Sequence, residues 1–332
     1  MPITSRSPDT MRAVVHPAYG PVDVLHVADV ARPHIADNEV LVRVRAAGLD
    51  RGTWHVMTGR PYAIRLGFGL RRPKNPVAGR DVAGTVEAVG SAVTRFSVGD
   101  PVFGIGRGSF AEFTAAREDK LALKPAGLTF EQAAVVPVSA LTALQAVRDA
   151  GRVQPGQKVL VIGASGGVGS YAVQMAKAFG AEVTGVCSTS KLDHVRSLGA
   201  DHVIDYTRDD FADGVHRYDL ILDIAGNPSL SRLRRALTTK GTALMIGGEN
   251  GGRLTGGMDR QLRGLVVSLF VTQRLRGFLS RERGNVLESI TDLIDSGKVT
   301  PSLHGSYPLD RVPEAMRDLE AGEVRGKVAI TL

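Results

Sequence analysis

Lys158-Val-Leu-Val-Ile-Gly163 runs straight into Ala164-Ser165-Gly166-Gly167-Val168-Gly169, and a stretch with helical apolar spacing, Val168 to Phe179, follows. The apolar run reads as a short strand buried on both faces. The turn behind it carries no bulky side chain. Such a turn lets the backbone pass within contact distance of a pyrophosphate, and Gly169 lets helix and sheet approach closely. The helix N-terminus then offers free N–H groups and a positive dipole end to an anion. Strand, glycine turn and helix in this order suit a dinucleotide, although the turn reads A-x-G-G-x-G rather than G-x-G-x-x-G. A tight turn that binds nothing is the alternative.

Downstream, strands at Glu182–Cys187, His202–Tyr206, Tyr218–Ile224 and Thr242–Ile246 alternate with helical stretches, Lys191–Leu198 among them. This alternation predicts an α/β chain with a doubly wound parallel sheet. Upstream the pattern differs. Arg12–His16, Glu39–Ala46, Asp81–Gly90 and a run opening at Gly99-Asp100-Pro101 read as short strands divided by Gly and Pro, as in a compact, partly barrel-like β domain. Thr129, with Gln132 three residues on, starts a helix that Pro137 divides. Val286–Ser296 is helical and ends at Gly297, and Tyr307–Leu332 holds one more helix and a closing strand, Lys327–Thr331.

The end of the second strand of the dinucleotide unit bears on the cofactor. An acid there, about 20 residues past the glycines, binds the ribose 2′-OH of NAD. This chain has Ser188-Thr189-Ser190-Lys191 instead. Hydroxyls and a lysine suit a 2′-phosphate, so NADPH is the expected cofactor. The plainer reading is that Ser190 and Lys191 begin the next helix.

A chain of 332 residues, 43 % apolar and 23 % charged, is long enough and apolar enough for two ordinary globular domains. The lone Cys187 rules out an internal disulfide and any zinc site needing two thiolates from this chain. Met1–Met11 contains no apolar run of the secretory kind, and no window reaches the roughly 18 apolar residues of a membrane span. A cytoplasmic location and no membrane span are expected. The net charge of +7 reflects an arginine-rich surface, without the interleaved aromatic and basic residues of an RNA-binding motif, so no nucleic-acid partner is expected. The basic stretch Arg253–Arg283 reads as an amphipathic wall, with a lid, a dimer contact or a membrane-facing surface as alternatives.

From about Met11 to Leu332 the sequence resembles the zinc-free, quinone oxidoreductase-like branch of the medium-chain dehydrogenase/reductases. The resemblance is carried by Gly79-Arg-Asp-Val-Ala-Gly-Thr-Val-Glu-Ala-Val-Gly90, Phe96-Ser-Val-Gly-Asp-Pro-Val-Phe-Gly104, Ala133–Ala143, the glycine turn, Leu198–Tyr206 and Arg325-Gly-Lys-Val-Ala-Ile330. It implies a GroES-like β-barrel catalytic domain over residues 1–125 and 285–332, a Rossmann domain over 126–284, and a homodimer joined through sheet edges. It implies cofactor contacts from Thr142, from Ala164, Ser165, Gly166, Gly167, Val168 and Gly169, from Ser188, Lys191 and Tyr206 at the 2′-phosphate, and from Lys327. Backbone contacts to the nicotinamide amide are implied near Gly247-Gly248 and Leu269-Phe270-Val271.

Zinc-dependent members of the family place their catalytic metal ligands where this chain has Asp50, Arg80 and Val138. A guanidinium and an isopropyl group cannot ligate zinc, so no metal is expected. Without a Lewis acid to stabilise an alkoxide, reduction of a quinone or an α,β-unsaturated carbonyl is easier than alcohol oxidation. The expected activity is therefore NADPH-dependent hydride transfer to a small electrophile: a quinone, an enone or, as an alternative, an aldehyde. A non-catalytic, crystallin-like nucleotide- or RNA-binding role is the reading from another class. Asp50 is expected to pair with Arg80, and His55 and Tyr62 are the candidate proton donors, with simple packing as the alternative for both.

Overall fold

A computed structural model describes residues 9–226, 228–248 and 252–332. Most of the Met1–Met11 stretch lies outside the described residues.

A short antiparallel pair opens the chain, β1 (Thr10–Val15) with β2 (His26–Ala31). Five strands of a seven-stranded sheet follow: β3 (Glu39–Leu49), β4 (Asp81–Val89), β5 (Pro101–Ile105), β6 (Phe113–Arg117) and β7 (Leu121–Leu123). Between β3 and β4 lie two short helices, α1 (Arg51–Thr58) and α2 (Arg65–Phe68). The helix at Thr129 is divided as its proline predicts. It forms α3 (Phe130–Ala134), with a complete Thr129/Gln132 capping box, and α4 (Pro137–Leu144), with the proline in its first turn.

The second sheet has six strands: β8 (Lys158–Ile162), β9 (Glu182–Cys187), β10 (His202–Asp205), β11 (Tyr218–Asp223), β12 (Leu237–Met245) and β13 (Arg274–Gly277). Every pairing in it is parallel, in the order β10-β9-β8-β11-β12-β13. The helices α5 (Gly167–Ala178), α6 (Leu192–Ser197), α7 (Leu230–Ala236) and α8 (Met258–Val267) cross between these strands. Val159 and Val161 of β8 enter one apolar core, while Leu160 and Ile162 enter another on the opposite face. That two-sided burial is why the strand has no polar alternation.

The last part of the chain, α9 (Gly284–Asp295), β14 (Leu303–Pro308), α10 (Val312–Glu320) and β15 (Lys327–Thr331), returns to the first sheet. There β15 pairs with β3. The fold is thus α/β, a GroES-like β domain joined to a parallel Rossmann sheet. β13 has no counterpart among the sequence-read strands, because its four residues sit inside the arginine-rich stretch, where no apolar period shows.

Candidate active site

In a parallel sheet of this order the crossover direction reverses between β8 and β11, and ligands bind outside the carboxyl ends of those strands. At that point Gly163 takes φ +88°, and the Gly163 and Ala164 amides donate to the Val186 carbonyl at 3.1 Å. Gly166 is the N-cap of α5 and supplies no capping side chain, so the first-turn N–H groups keep their capacity for an anion. A Cβ on Gly169 would run into the Gly163 carbonyl and lie 2.8 Å from the Ala164 Cα. The cradle is therefore of a shape and polarity that fit a pyrophosphate.

On the other side of the switch point, Asp223 ends β11 fully buried. It accepts from the Gly226 amide and is held by Arg260 of α8 at 2.6 Å. Burial pushes this carboxyl up against the pull of Arg260. The pair fixes the turn facing the glycine cradle, with Gly247 and Gly248 packed beside it: a Cβ on Gly226 would meet the Gly248 amide at 2.5 Å.

Ser188 leads a single 3-10 turn, Thr189–Lys191, and makes no side-chain cap there. The plainer reading, that Ser190 and Lys191 begin the next helix, holds for the backbone: both lie in the 3-10 turn that runs into α6, whose N-cap is Lys191, although no side chain caps either piece. Lys191 Nζ donates to the carbonyls of Gly322 at 2.6 Å and Val324 at 2.8 Å. Burial, then the nearby Arg325 charge, lowers its pKa. Tyr206 is exposed, and its amide donates to the Cys187 carbonyl at the end of β9 at 3.1 Å. Arg325, part of a family motif but given no cofactor role there, adds a second cation near Lys191. Only the fold shows that the segment before β15 lies against this corner, where the Gly326 amide donates to the Ser165 carbonyl at 2.8 Å.

Lys327 is buried with its stem under the glycine turn; a Cβ on Gly167 would lie 2.9 Å from its Cδ. Its ammonium bonds Asp81 at 2.6 Å and lies 3.8 Å from Asp50. Asp81 also accepts from the Val138 amide at 2.9 Å. Asp50 caps α1, and its Oδ1 accepts from the Thr53 amide and hydroxyl at 2.7 and 3.0 Å. The expected Asp50–Arg80 pair does not form. Arg80 instead binds Glu282, which Lys120 holds at 3.0 Å from its other oxygen. The physical reason is the second acid, Asp81: it brings Lys327 between the two aspartates, and Glu282 from the far side of the cleft takes the guanidinium. Burial, with the Asp50 charge adding to it, pushes Asp81 up to about 6 despite Lys327. Asp50 behaves oppositely. Burial works against its charge, but Lys327, the Thr53 donors and Arg80 outweigh that and hold it below the usual carboxylate range.

His55 donates Nδ1–H to the Arg60 carbonyl at 2.7 Å and meets the Trp54 ring edge-on, which leaves Nε2 as its only unassigned ring nitrogen. Tyr62 is partly exposed with Arg65 stacked on its ring at 4.6 Å, and its amide donates to the Arg253 carbonyl. The Thr142 hydroxyl bonds the Val138 carbonyl at 2.7 Å and Ser280 at 3.0 Å.

One expectation is corrected outright. Phe270 is 83 % exposed at the end of α8, and Leu269 is exposed beside it. This segment, with Val271, precedes β13 and so lies at the amino edge of the parallel sheet, away from the cradle. The carboxyl end of β13 leads to Phe278, Leu279 and Ser280, and it is Ser280 that reaches Thr142.

Residues 36–126 match the family model described as alcohol dehydrogenase GroES-like domain, and residues 198–330 the one described as zinc-binding dehydrogenase. Residues 139–229 match the alanine dehydrogenase/PNT C-terminal domain. The NADPH-dependent alkenal/one oxidoreductase of Arabidopsis thaliana chloroplasts is 35 % identical over 97 % of this chain and 80 % of its own. This chain belongs to the medium-chain dehydrogenase/reductase family. The quinone oxidoreductase from Coxiella burnetii superposes with a TM-score of 0.86 at 27 % identity, covering 97 % of this chain and 99 % of that one. A mycobacterial member solved in complex with NADPH gives 0.83 at 27 % identity, covering 97 % and 100 %. The family model described as zinc-binding spans none of Asp50, Arg80 and Val138.

Proposed function

We propose that this chain is an NADPH-dependent, zinc-independent oxidoreductase that reduces quinones or α,β-unsaturated carbonyl compounds. The observation that carries the reading is the uncapped glycine cradle at the switch point, with Lys191 and Arg325 at its corner where NAD enzymes present an acid. Gly166 to Gly169 and the first turn of α5 would hold the pyrophosphate, and Ser188, Lys191, Tyr206 and Arg325 the 2′-phosphate. Bound there, NADPH supplies a hydride for a conjugated acceptor, whose π electrons move to the carbonyl oxygen and leave an enolate or phenolate to be protonated. The relatives named for alkenal/one and quinone reduction support that acceptor class.

Zinc independence is supported by what fills the corresponding positions. Val138 offers only a backbone amide, already given to Asp81, and Arg80 is a cation bound to Glu282. Lys327 and Arg80 provide fixed positive charge where a metal would otherwise sit. Asp50 is a positioning residue: it caps α1 and orients Lys327. With its Nδ1–H given to the Arg60 carbonyl, a neutral His55 has an accepting Nε2 and would donate a proton only as the imidazolium, whereas Tyr62 carries its own hydroxyl proton. We also infer a homodimer joined at β13. Among the described residues this strand pairs only with β12, and Leu262, Leu265, Leu269 and Phe270 stand exposed beside it.

Titration with NADPH and NADH, read by nicotinamide fluorescence, tests the cofactor site. Lys191→Ala and Arg325→Ala are each expected to weaken NADPH binding about tenfold, roughly 1.4 kcal/mol, while leaving NADH nearly unchanged. Equal loss for both nucleotides would remove the 2′-phosphate assignment. No binding of either would remove the reductase reading. For the dimer, Phe270→Asp is expected to give monomers by light scattering, and a mutant that stays dimeric places the interface elsewhere.

A further inference from the structure

A cavity of about 300 Å³ opens in the β domain beside the buried ionic cluster. Thr53 and Arg80 belong to both: Thr53 donates to Asp50, and Arg80 is the neighbour of Asp81. Val56, Phe68, Val77 and Ile105 make part of its wall apolar. Its charge is one-sided. Lys74, Arg80, Arg107, Arg117 and Lys120 line it against a single carboxylate, Glu39. Two carboxylates outside the wall, Glu282 and Asp119, pair with three of these cations, and Glu39 takes Arg107. Lys74 has no carboxylate within ion-pair distance among the described residues. Five cations thus face three carboxylates in all.

A second, independent observation comes from His16, which lines the same cavity. The residue is 2 % exposed, yet its Nδ1 has no hydrogen-bond partner. A buried ring nitrogen without a partner is costly unless something else reaches it. Burial lowers the His16 pKa to about 4, so near neutrality the ring is uncharged, with one nitrogen donating and the other accepting.

We propose that this cavity is the acceptor pocket and that it selects electrophiles carrying a carboxylate at the end remote from the reacting carbons. This rests on the reductase reading above and adds the substrate class. The apolar wall receives the carbon skeleton, and the surplus cations receive the carboxylate. A neutral acceptor of equal size forgoes the second contribution. An anion here accepts charge-assisted hydrogen bonds from cations at the exposed rim, contacts that solvent and salt screen.

The test uses a matched pair, a vinyl ketone bearing an aliphatic carboxylate tail and its methyl ester, so that the electrophile itself is unchanged. Two readouts are taken on the purified protein: NADPH oxidation, and quenching of Trp54, the chain's single tryptophan and the neighbour of Thr53. The expected result is kcat/KM at least tenfold higher for the carboxylate, a ratio that shrinks as salt rises, and saturable quenching at lower concentrations of carboxylate than of ester. In Lys74→Met/Arg117→Met the ratio is expected to fall several-fold towards one. Both positions are exposed, so the fold tolerates the change. Equal kcat/KM for acid and ester in the wild type overturns the proposal and leaves the reductase reading standing. An unchanged ratio in the double variant overturns it too, by placing the selection elsewhere. If NADPH binds but neither compound is reduced or quenches Trp54, the acceptor pocket is refuted together with the enone reading.

Discussion

The glycine cradle and the ionic cluster beside it lie within contact of each other, yet they are built in opposite ways. The cradle is seven consecutive residues, Gly163 to Gly169, whose geometry follows from its four glycines. The cluster takes Asp50, Arg80, Asp81, Lys120, Glu282 and Lys327 from five separate segments, and its geometry is entirely a matter of side chains. Three cations there balance three carboxylates. The cradle resists change because a Cβ has nowhere to go. The cluster resists change because deleting Lys327 leaves two buried carboxylates without their cation. The first is a local rule readable along the chain, and the second is a tertiary balance.

The largest effect should come from the cluster. Lys327→Met strands Asp81 and Asp50 in the interior and is expected to cost about 3–5 kcal/mol in urea unfolding. A loss below about 1 kcal/mol would mean that water reaches the two carboxylates. In the cradle, Gly169→Ala drives a methyl group against Gly163 and Ala164. NADPH affinity should fall on the order of a hundredfold, about 2.7 kcal/mol, and because the clash is with backbone the stability in urea should fall as well, by about 1 kcal/mol. If stability falls as much as affinity, the two regions are less separable than their construction implies.

A pH experiment sharpens the same contrast. Asp81 has a folded pKa raised to about 6, above the usual unfolded value. Its contribution to stability is therefore fully present below about pH 4 and is lost as pH rises through 6. The stability of the wild type relative to Asp81→Asn should decline across that window by on the order of 1–3 kcal/mol. A flat difference would show that Lys327 keeps Asp81 ionised throughout. The smallest effect lies at the exposed start of α3: Thr129→Ala removes its capping box and should cost about 1 kcal/mol with no change in NADPH affinity.

Much of the fold was legible in the sequence because its signals are short-ranged. The strand Lys158–Ile162, the turn after it, the Thr129 cap and the Pro137 break each depend on a few neighbouring residues. The misplaced nicotinamide contact shows where that reading stops. Leu269-Phe270-Val271 and Phe278-Leu279-Ser280 are both mixed apolar stretches in one arginine-rich region. Only the position and direction of β13 decide which of them emerges at the carboxyl edge of the sheet. Arg325 was overlooked for a related reason, since nothing near it in sequence announces that its loop rests on the glycine turn.

The two kinds of domain, the glycine turn after β8 and the lack of zinc donors at Arg80 and Val138 follow from the chain alone, because those depend on residue type and spacing. Tertiary structure alone decided that Lys327 takes both aspartates, that Arg80 turns to Glu282, and that five cations surround one small cavity. Ion pairs between distant segments leave no periodicity in a chain. They are chosen by which charges the packed core brings within reach after it has excluded the water that would otherwise satisfy them.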